Sequence, residues 1–89
     1  MKITGFDWDF RNINHIARHN VQPEEAEEVF FNAPLFRKTR EGLRVALGRT
    51  DDGRYLFVVF AIKPDGKVRV VTARDKSDAE RRYYRKEKG

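Results

Sequence analysis

The stretch Tyr55-Leu56-Phe57-Val58-Val59-Phe60-Ala61-Ile62 is apolar on both of its alternating faces, the pattern of a central strand covered on each side. Asp51-Asp52-Gly53 before it and Pro64-Asp65-Gly66 after it read as turns, because aspartate bonds its own following backbone and glycine takes positive φ without steric cost. Such short connections imply antiparallel neighbours. Upstream, Leu43-Arg44-Val45-Ala46-Leu47-Gly48-Arg49 alternates with Leu43, Val45 and Leu47 on one face, as a strand does. Downstream, Lys67 to Arg74 returns as another strand, and Leu35 to Arg40 is a weaker pattern of the same kind.

Helical signals flank this meander. Ile3 to Asp9 alternates as a short strand with Phe6 and Trp8 on one face, and Asp9 can cap a helix from Phe10 to His19. Phe10, Ile13, Ile16 and Ala17 give that helix an apolar stripe. Asn20 suits a left-handed C-cap position, with Val21 folding back on the helix end. Pro23 followed by Glu24, Glu25, Glu27 and Glu28 starts a second helix, complements its macrodipole, and is closed by Pro34. Ser77-Asp78-Ala79-Glu80 has the capping-box form and opens a last helix to about Lys86, with Ala79 and Tyr83 toward the sheet. The fold expected is α+β: a short strand, two helices, an antiparallel meander of three or four strands, and a closing helix, all in one domain over residues 1–89.

Composition narrows the function. At 39% apolar and 37% charged residues, the 89-residue chain can bury one modest core. It has no cysteine, so no disulfide framework, thiol nucleophile or thiolate zinc site is available, and a reducing cytosol fits. The central apolar run falls far below the roughly 20 residues a membrane span needs, and no signal-peptide pattern opens the chain. Secretion and membrane insertion are not expected. Residues 1–33 carry three cations against six acids, whereas residues 34–89 carry sixteen against eight. A basic half of this size favours phosphate backbones, making nucleic acid the leading partner class.

His15 and His19 have the i, i+4 spacing that can hold a metal, but the zincin glutamate is missing and no third ligand is near in sequence. His19, at a helix end, is the better acid or base. Arg49, Arg54, Arg69, Arg74, Arg81, Arg82 and Arg85 come from strand ends or the last helix, and guanidinium forks match phosphate oxygens and can stabilise charge on a phosphorus under attack. Tyr83 and Tyr84 point to different sides of their helix, so one can be core while the other stacks on a base. Glu80 either completes its capping box or acts as a base beside Arg81. With no glycine-rich phosphate loop, dinucleotide fingerprint or nucleophile elbow, no cofactor is expected.

Phe6-Asp7-Trp8-Asp9, Asn12-Ile13, His15 through Val21, Pro23-Glu24-Glu25 and Glu28-Val29-Phe30 resemble the N-terminal half of the BrnT-like toxin family. Gly48-Arg49-Thr50, Gly53-Arg54, Val71-Thr72-Ala73-Arg74, Ser77 and Glu80-Arg81-Arg82-Tyr83-Tyr84 resemble its closing signature. The family typically has His-Gly where this chain has His19-Asn20, a change that asparagine's tolerance of the same backbone angles accommodates. The resemblance implies the toxin of a type II toxin–antitoxin pair, similar in fold to RelE ribonucleases. Such a toxin is sequestered by a ribbon–helix–helix antitoxin that also represses the operon, so operator DNA is reached only through that partner.

Chemistry assigns the roles. A metal-independent endoribonuclease needs only to activate the 2′-hydroxyl, hold the phosphate and protonate the departing 5′-oxygen. His19, Arg54, Arg69 and Arg74 are the catalytic candidates, and Arg49, Arg81, Arg82 and Tyr84 the RNA-binding ones. The competing reading is a basic binding module without turnover, pairing with an antitoxin-like protein or RNA.

Overall fold

A computed structural model describes residues 3–39 and 41–88. The elements run β1 (Gly5–Phe6), α1 (Phe10–Ala17), α2 (Pro23–Phe31), β2 (Leu35–Lys38), β3 (Arg44–Arg49), β4 (Tyr55–Ile62), β5 (Lys67–Asp75) and α3 (Asp78–Lys88). Five strands form one sheet in the order β1-β5-β4-β3-β2. Strands β2 to β5 are the expected antiparallel meander, but β1 joins β5 in parallel, so the sheet is mixed and not antiparallel throughout. The outer edge of β5 is open until Gly5 and Phe6 pair with Lys67 and Val68, flanked by Thr4 and Asp7 amides donating to the Gly66 and Val68 carbonyls at 3.1 and 2.8 Å. The strand expected over Ile3 to Asp9 is therefore only two residues long. Beyond it, Trp8 leaves the sheet and its indole Nε1–H donates to Glu27 Oε2 at 2.7 Å.

Both helices before the meander cover one face of the sheet. Asp9 caps α1 with hydrogen bonds from the Arg11 and Asn12 amides, and the Asn12 side chain accepts from the Asp9 amide in return. The helix ends at Ala17, not His19, because residues 18–20 turn the chain back: the Val21 amide reaches the Ile16 carbonyl and the Asn20 amide reaches Ala17. Asn20 has φ of 60°, so this is the left-handed C-cap its sequence suggested. The buried face of α1 is narrower than the apolar stripe implied: Ile16 is buried with Asn12, while Phe10 and Ala17 are exposed. Asn12 is satisfied there, donating to the Asp7 and Val70 carbonyls. From α2, Ala26, Val29 and Phe30 meet Val58, Phe60, Val68 and Val70, and the Phe30 ring sits edge-on to Phe60 at 4.9 Å.

On the other sheet face, α3 lies over β2 and β3. The expected capping box is present, with Glu80 accepting from the Ser77 amide at 2.8 Å and the Glu80 amide donating to Ser77 Oγ at 3.2 Å. The helix runs to Lys88, past the expected Lys86. Its phase differs from the expectation: Tyr84 faces the sheet and is 7% exposed, while Tyr83 and Ala79 are exposed. The cause is Glu80, which is pulled onto the sheet by Arg74, so the residue four positions on falls on the same side. Tyr84 packs with Val45 and Leu47 in a second, smaller core.

A one-residue irregularity in β5 decides which side chains reach this second face. Val59 pairs with Thr72 and Phe60 with Val70, leaving Val71 bulged out. Past the bulge Ala73 still faces α1 and α2, and Arg74, opposite Phe57, faces α3.

Candidate nucleic-acid interface

Strand alternation sends Arg37 of β2, Arg49 of β3 and Arg74 of β5 to the sheet face carrying α3, where Arg81 and the turn residue Lys76 join them. Each cation lies over an aromatic ring. The Arg37 guanidinium is 5.0 Å from the Tyr83 centroid, Arg74 is 4.1 Å from Phe57, and Arg49 and Arg81 are 6.0 and 4.5 Å from Tyr55. Lys76 Nζ sits 3.8 Å from the Tyr84 centroid and 4.9 Å from Tyr55. Attraction to the ring quadrupoles holds the like charges in one layer. Beside them a shallow cleft of about 210 Å³ opens over β2, β3 and β4, lined by Arg37, Lys38, Thr39, Val45 and Phe57.

The candidates chosen from sequence divide between this face and two other places. Arg49, Arg74, Arg81 and Tyr84 come together here, and Arg82 of α3 is exposed to solvent. Arg54 is at the end of the sheet, where all five of its donors are taken by Asp75, Glu25 and the carbonyls of His19 and Asn20. His19 contributes a main-chain oxygen to that knot, its exposed imidazole lying on the α1 side. Arg69 shares the sheet face of Arg74 but is tied to Asp7 at 3.4 Å and Asp9 at 3.0 Å beside β1. Five residues along a strand put it about 15 Å from Arg74, well beyond the span of one phosphate.

Arg74 is braced for contact. Its Nη1 and Nη2 donate to the two Glu80 carboxylate oxygens at 3.0 and 2.9 Å, which fixes the guanidinium plane against Phe57. Burial raises the proton affinity of Glu80, but hydrogen bonds from Arg74 and Ser77 outweigh it and hold the carboxyl below its usual range. Glu80 thus stays ionised as cap and ion-pair partner together.

Two members of the face were missed from sequence. Arg37 fell in a weakly patterned strand, and its only sequence signal is alternation with Leu35. Lys76 is 7% exposed and its Nζ has no hydrogen-bond partner among the described residues. Burial lowers its pKa to about 8, with Arg49 and Arg81 pushing the same way and Glu80 opposing. The one available signal was a lysine wedged between a strand end and the Ser77 cap, where its stem cannot point freely outward.

Against known proteins, residues 8–80 match the family model described as the ribonuclease toxin BrnT of type II toxin–antitoxin systems. No match was found among curated proteins. The matched segment carries Arg37, Arg49, Arg74 and Lys76 and stops inside α3, before Arg81 and Tyr84. A match over most of the chain shows that it belongs to the BrnT family of ribonuclease toxins, whose type II systems pair each toxin with an antitoxin.

Proposed function

We propose that the chain acts as a single BrnT-like domain, a metal-independent endoribonuclease of RelE-like type that cuts RNA in the cytoplasm and so inhibits translation. The observation that carries this reading is the layer of five cations interleaved with aromatic rings beside a cleft. Guanidiniums grip phosphate oxygens, and the rings offer faces on which unstacked bases can lie. In the reaction the RNA 2′-oxygen attacks phosphorus, the bond to the 5′-oxygen breaks, and that oxygen takes a proton. Arg74, Arg49 and Arg81 hold the phosphate, Arg82 and Tyr84 guide the strand, and His19 is the acid or base for a strand that wraps the end of the sheet. Arg54 and Arg69 enter as scaffold residues, since all five Arg54 donors are already occupied and Arg69 is held by Asp7 and Asp9 beside β1, away from the other cations. A ribbon–helix–helix antitoxin covers the same cations and carries the complex to operator DNA.

The test is cleavage of RNA by the purified chain in EDTA, with a cyclic phosphate left on the 5′ fragment. Dependence on added metal, or a product bearing a 5′-phosphate, overturns the mechanism. One observation favours a non-catalytic binding module instead: His15 is on α1 and His19 in the turn that follows it, and α1 packs on the sheet face opposite the cations. Growth unaffected by expression, with Arg74→Ala indistinguishable from the parent, selects that second reading.

A further inference from the structure

A lysine at a turn ordinarily runs its four-carbon stem outward and leaves its ammonium in water. Lys76 does the reverse. Its main-chain amide is pinned to the Tyr55 carbonyl at 3.1 Å, and its ammonium is buried between the Tyr84 and Tyr55 rings with no oxygen among the described residues to receive its protons. Glu80, the acid beside it, is already occupied by Arg74 and the Ser77 amide. Arg81 repeats the anomaly, for its Nε is buried without a partner among the described residues while its guanidinium lies over the same Tyr55 ring. Arg49 reaches that ring from β3. Three cations from a turn, a helix and a strand therefore surround one tyrosine, and two of them hold unused donors.

We infer that Lys76, Arg81 and Arg49 form a covered anion site that takes one phosphodiester of a bound RNA strand when the Tyr84 ring swings off the Lys76 ammonium. The inference rests on the ribonuclease reading and adds to it a binding residue and a gate. An anion would satisfy both orphaned donors and relieve the repulsion among the three cations. RNA fits better than a protein carboxylate, because Tyr84 once displaced offers a ring beside the phosphate for stacking. The groups facing Lys76 are Arg49 from β3, Tyr55 from β4, and Glu80, Arg81 and Tyr84 from α3. Its lowered proton affinity fits a cation waiting for an anion.

The experiment uses the full chain and a labelled 2′-O-methyl oligoribonucleotide, which binds as RNA does but cannot be cut, read by fluorescence anisotropy. Lys76→Met is expected to weaken binding at least tenfold, to reduce the salt dependence by about one phosphate's share, and to melt at the same temperature or higher, because an unpartnered buried charge is gone. Lys76→Arg should bind within threefold of the parent and lose the parent's decline in affinity above pH 8. Tyr84→Ala should expose Lys76 to an amine-acylating reagent, with the oligonucleotide protecting it. Parental binding and salt slope in Lys76→Met overturn the inference. So does a fall in both melting temperature and binding that Lys76→Arg fails to restore, which marks a packing residue. Loss of antitoxin binding with oligonucleotide binding intact would show that the site takes a protein carboxylate, and overturns it too. A parent that binds the oligonucleotide but leaves unmodified RNA uncut defeats the nuclease reading alone; one that cuts RNA as well as Lys76→Met does defeats only the inference.

Discussion

Arg54 grips Asp75 with two parallel hydrogen bonds, Nε to Oδ1 at 2.7 Å and Nη2 to Oδ2 at 3.1 Å, while Nη1 reaches the Asn20 carbonyl at 2.7 Å and Glu25. One side chain thus joins the end of α1, the start of α2 and the end of β5. Arg54→Ala leaves two carboxylates and two carbonyls without their donor. Asp75 is largely exposed and can recover water, so the cost should be about 1.5–3 kcal/mol, not that of a buried pair. A urea titration checks it, and a shift under about 0.5 kcal/mol would mean the knot is ornamental.

The same contact predicts acid behaviour. Hydrogen bonding by Arg54 lowers the Asp75 pKa against an opposing desolvation, and Glu80 is lowered as well. A depressed carboxyl contributes stability that is complete above the unfolded value of about 4 and is lost as pH falls through the folded pKa. Melting temperature should drop steeply below about pH 4, and Asp75→Asn should flatten that slope while lowering the plateau.

Lys76 predicts the opposite limb. Between its folded pKa of about 8 and the unfolded value near 10.4, the unfolded chain binds more protons, so stability rises with pH across that window. Subtracting the profile of Lys76→Met, in which that rise is absent, isolates the effect from tyrosine titration. Parallel profiles from pH 7.5 to 10 would show that the ammonium is not desolvated.

Two backbone positions offer opposite substitutions. Ala33 holds φ of 48° just before Pro34, a region that costs a residue with a Cβ about 1 kcal/mol or more. Ala33→Gly should therefore be neutral or stabilising by up to about 1 kcal/mol. Gly48 is buried in β3, and a Cβ there would meet Val29 Cγ1 at 3.0 Å and Pro34 Cβ at 3.2 Å. Gly48→Ala should cost about 1–3 kcal/mol by forcing α2 off the sheet. Equal and small effects at both positions in thermal melts would contradict this packing.

Local signals were the legible ones. Asp9, Asn20, Pro23 and the Ser77–Glu80 box each act within four residues, and each sits where its chemistry required. The β1–β5 pairing joins residues about sixty positions apart through two residues, too few to leave an alternating pattern. The sequence also led to Arg49, Arg74 and Arg81 for the basic face, yet gave no means of separating them from Arg54, whose surroundings come from three different elements. Lys76 was invisible for the same reason: its burial follows from where Tyr84 lands, and that phase is set by the Arg74–Glu80 pair.

The bulge at Val71 makes β5 sensitive to register more than to spelling. The Val71 side chain is 41% exposed and should accept nearly any polar replacement. Pairing Val71 into the ladder opposite Val59 would invert everything downstream, turning Arg74 toward the apolar layer beneath α1 and α2 and Ala73 toward the cationic one, whereas deleting it would leave Thr72, Ala73 and Arg74 opposite Val59, Val58 and Phe57 as they are. A frame of one residue in a strand thus decides whether the guanidinium braced on Phe57 reaches solvent at all.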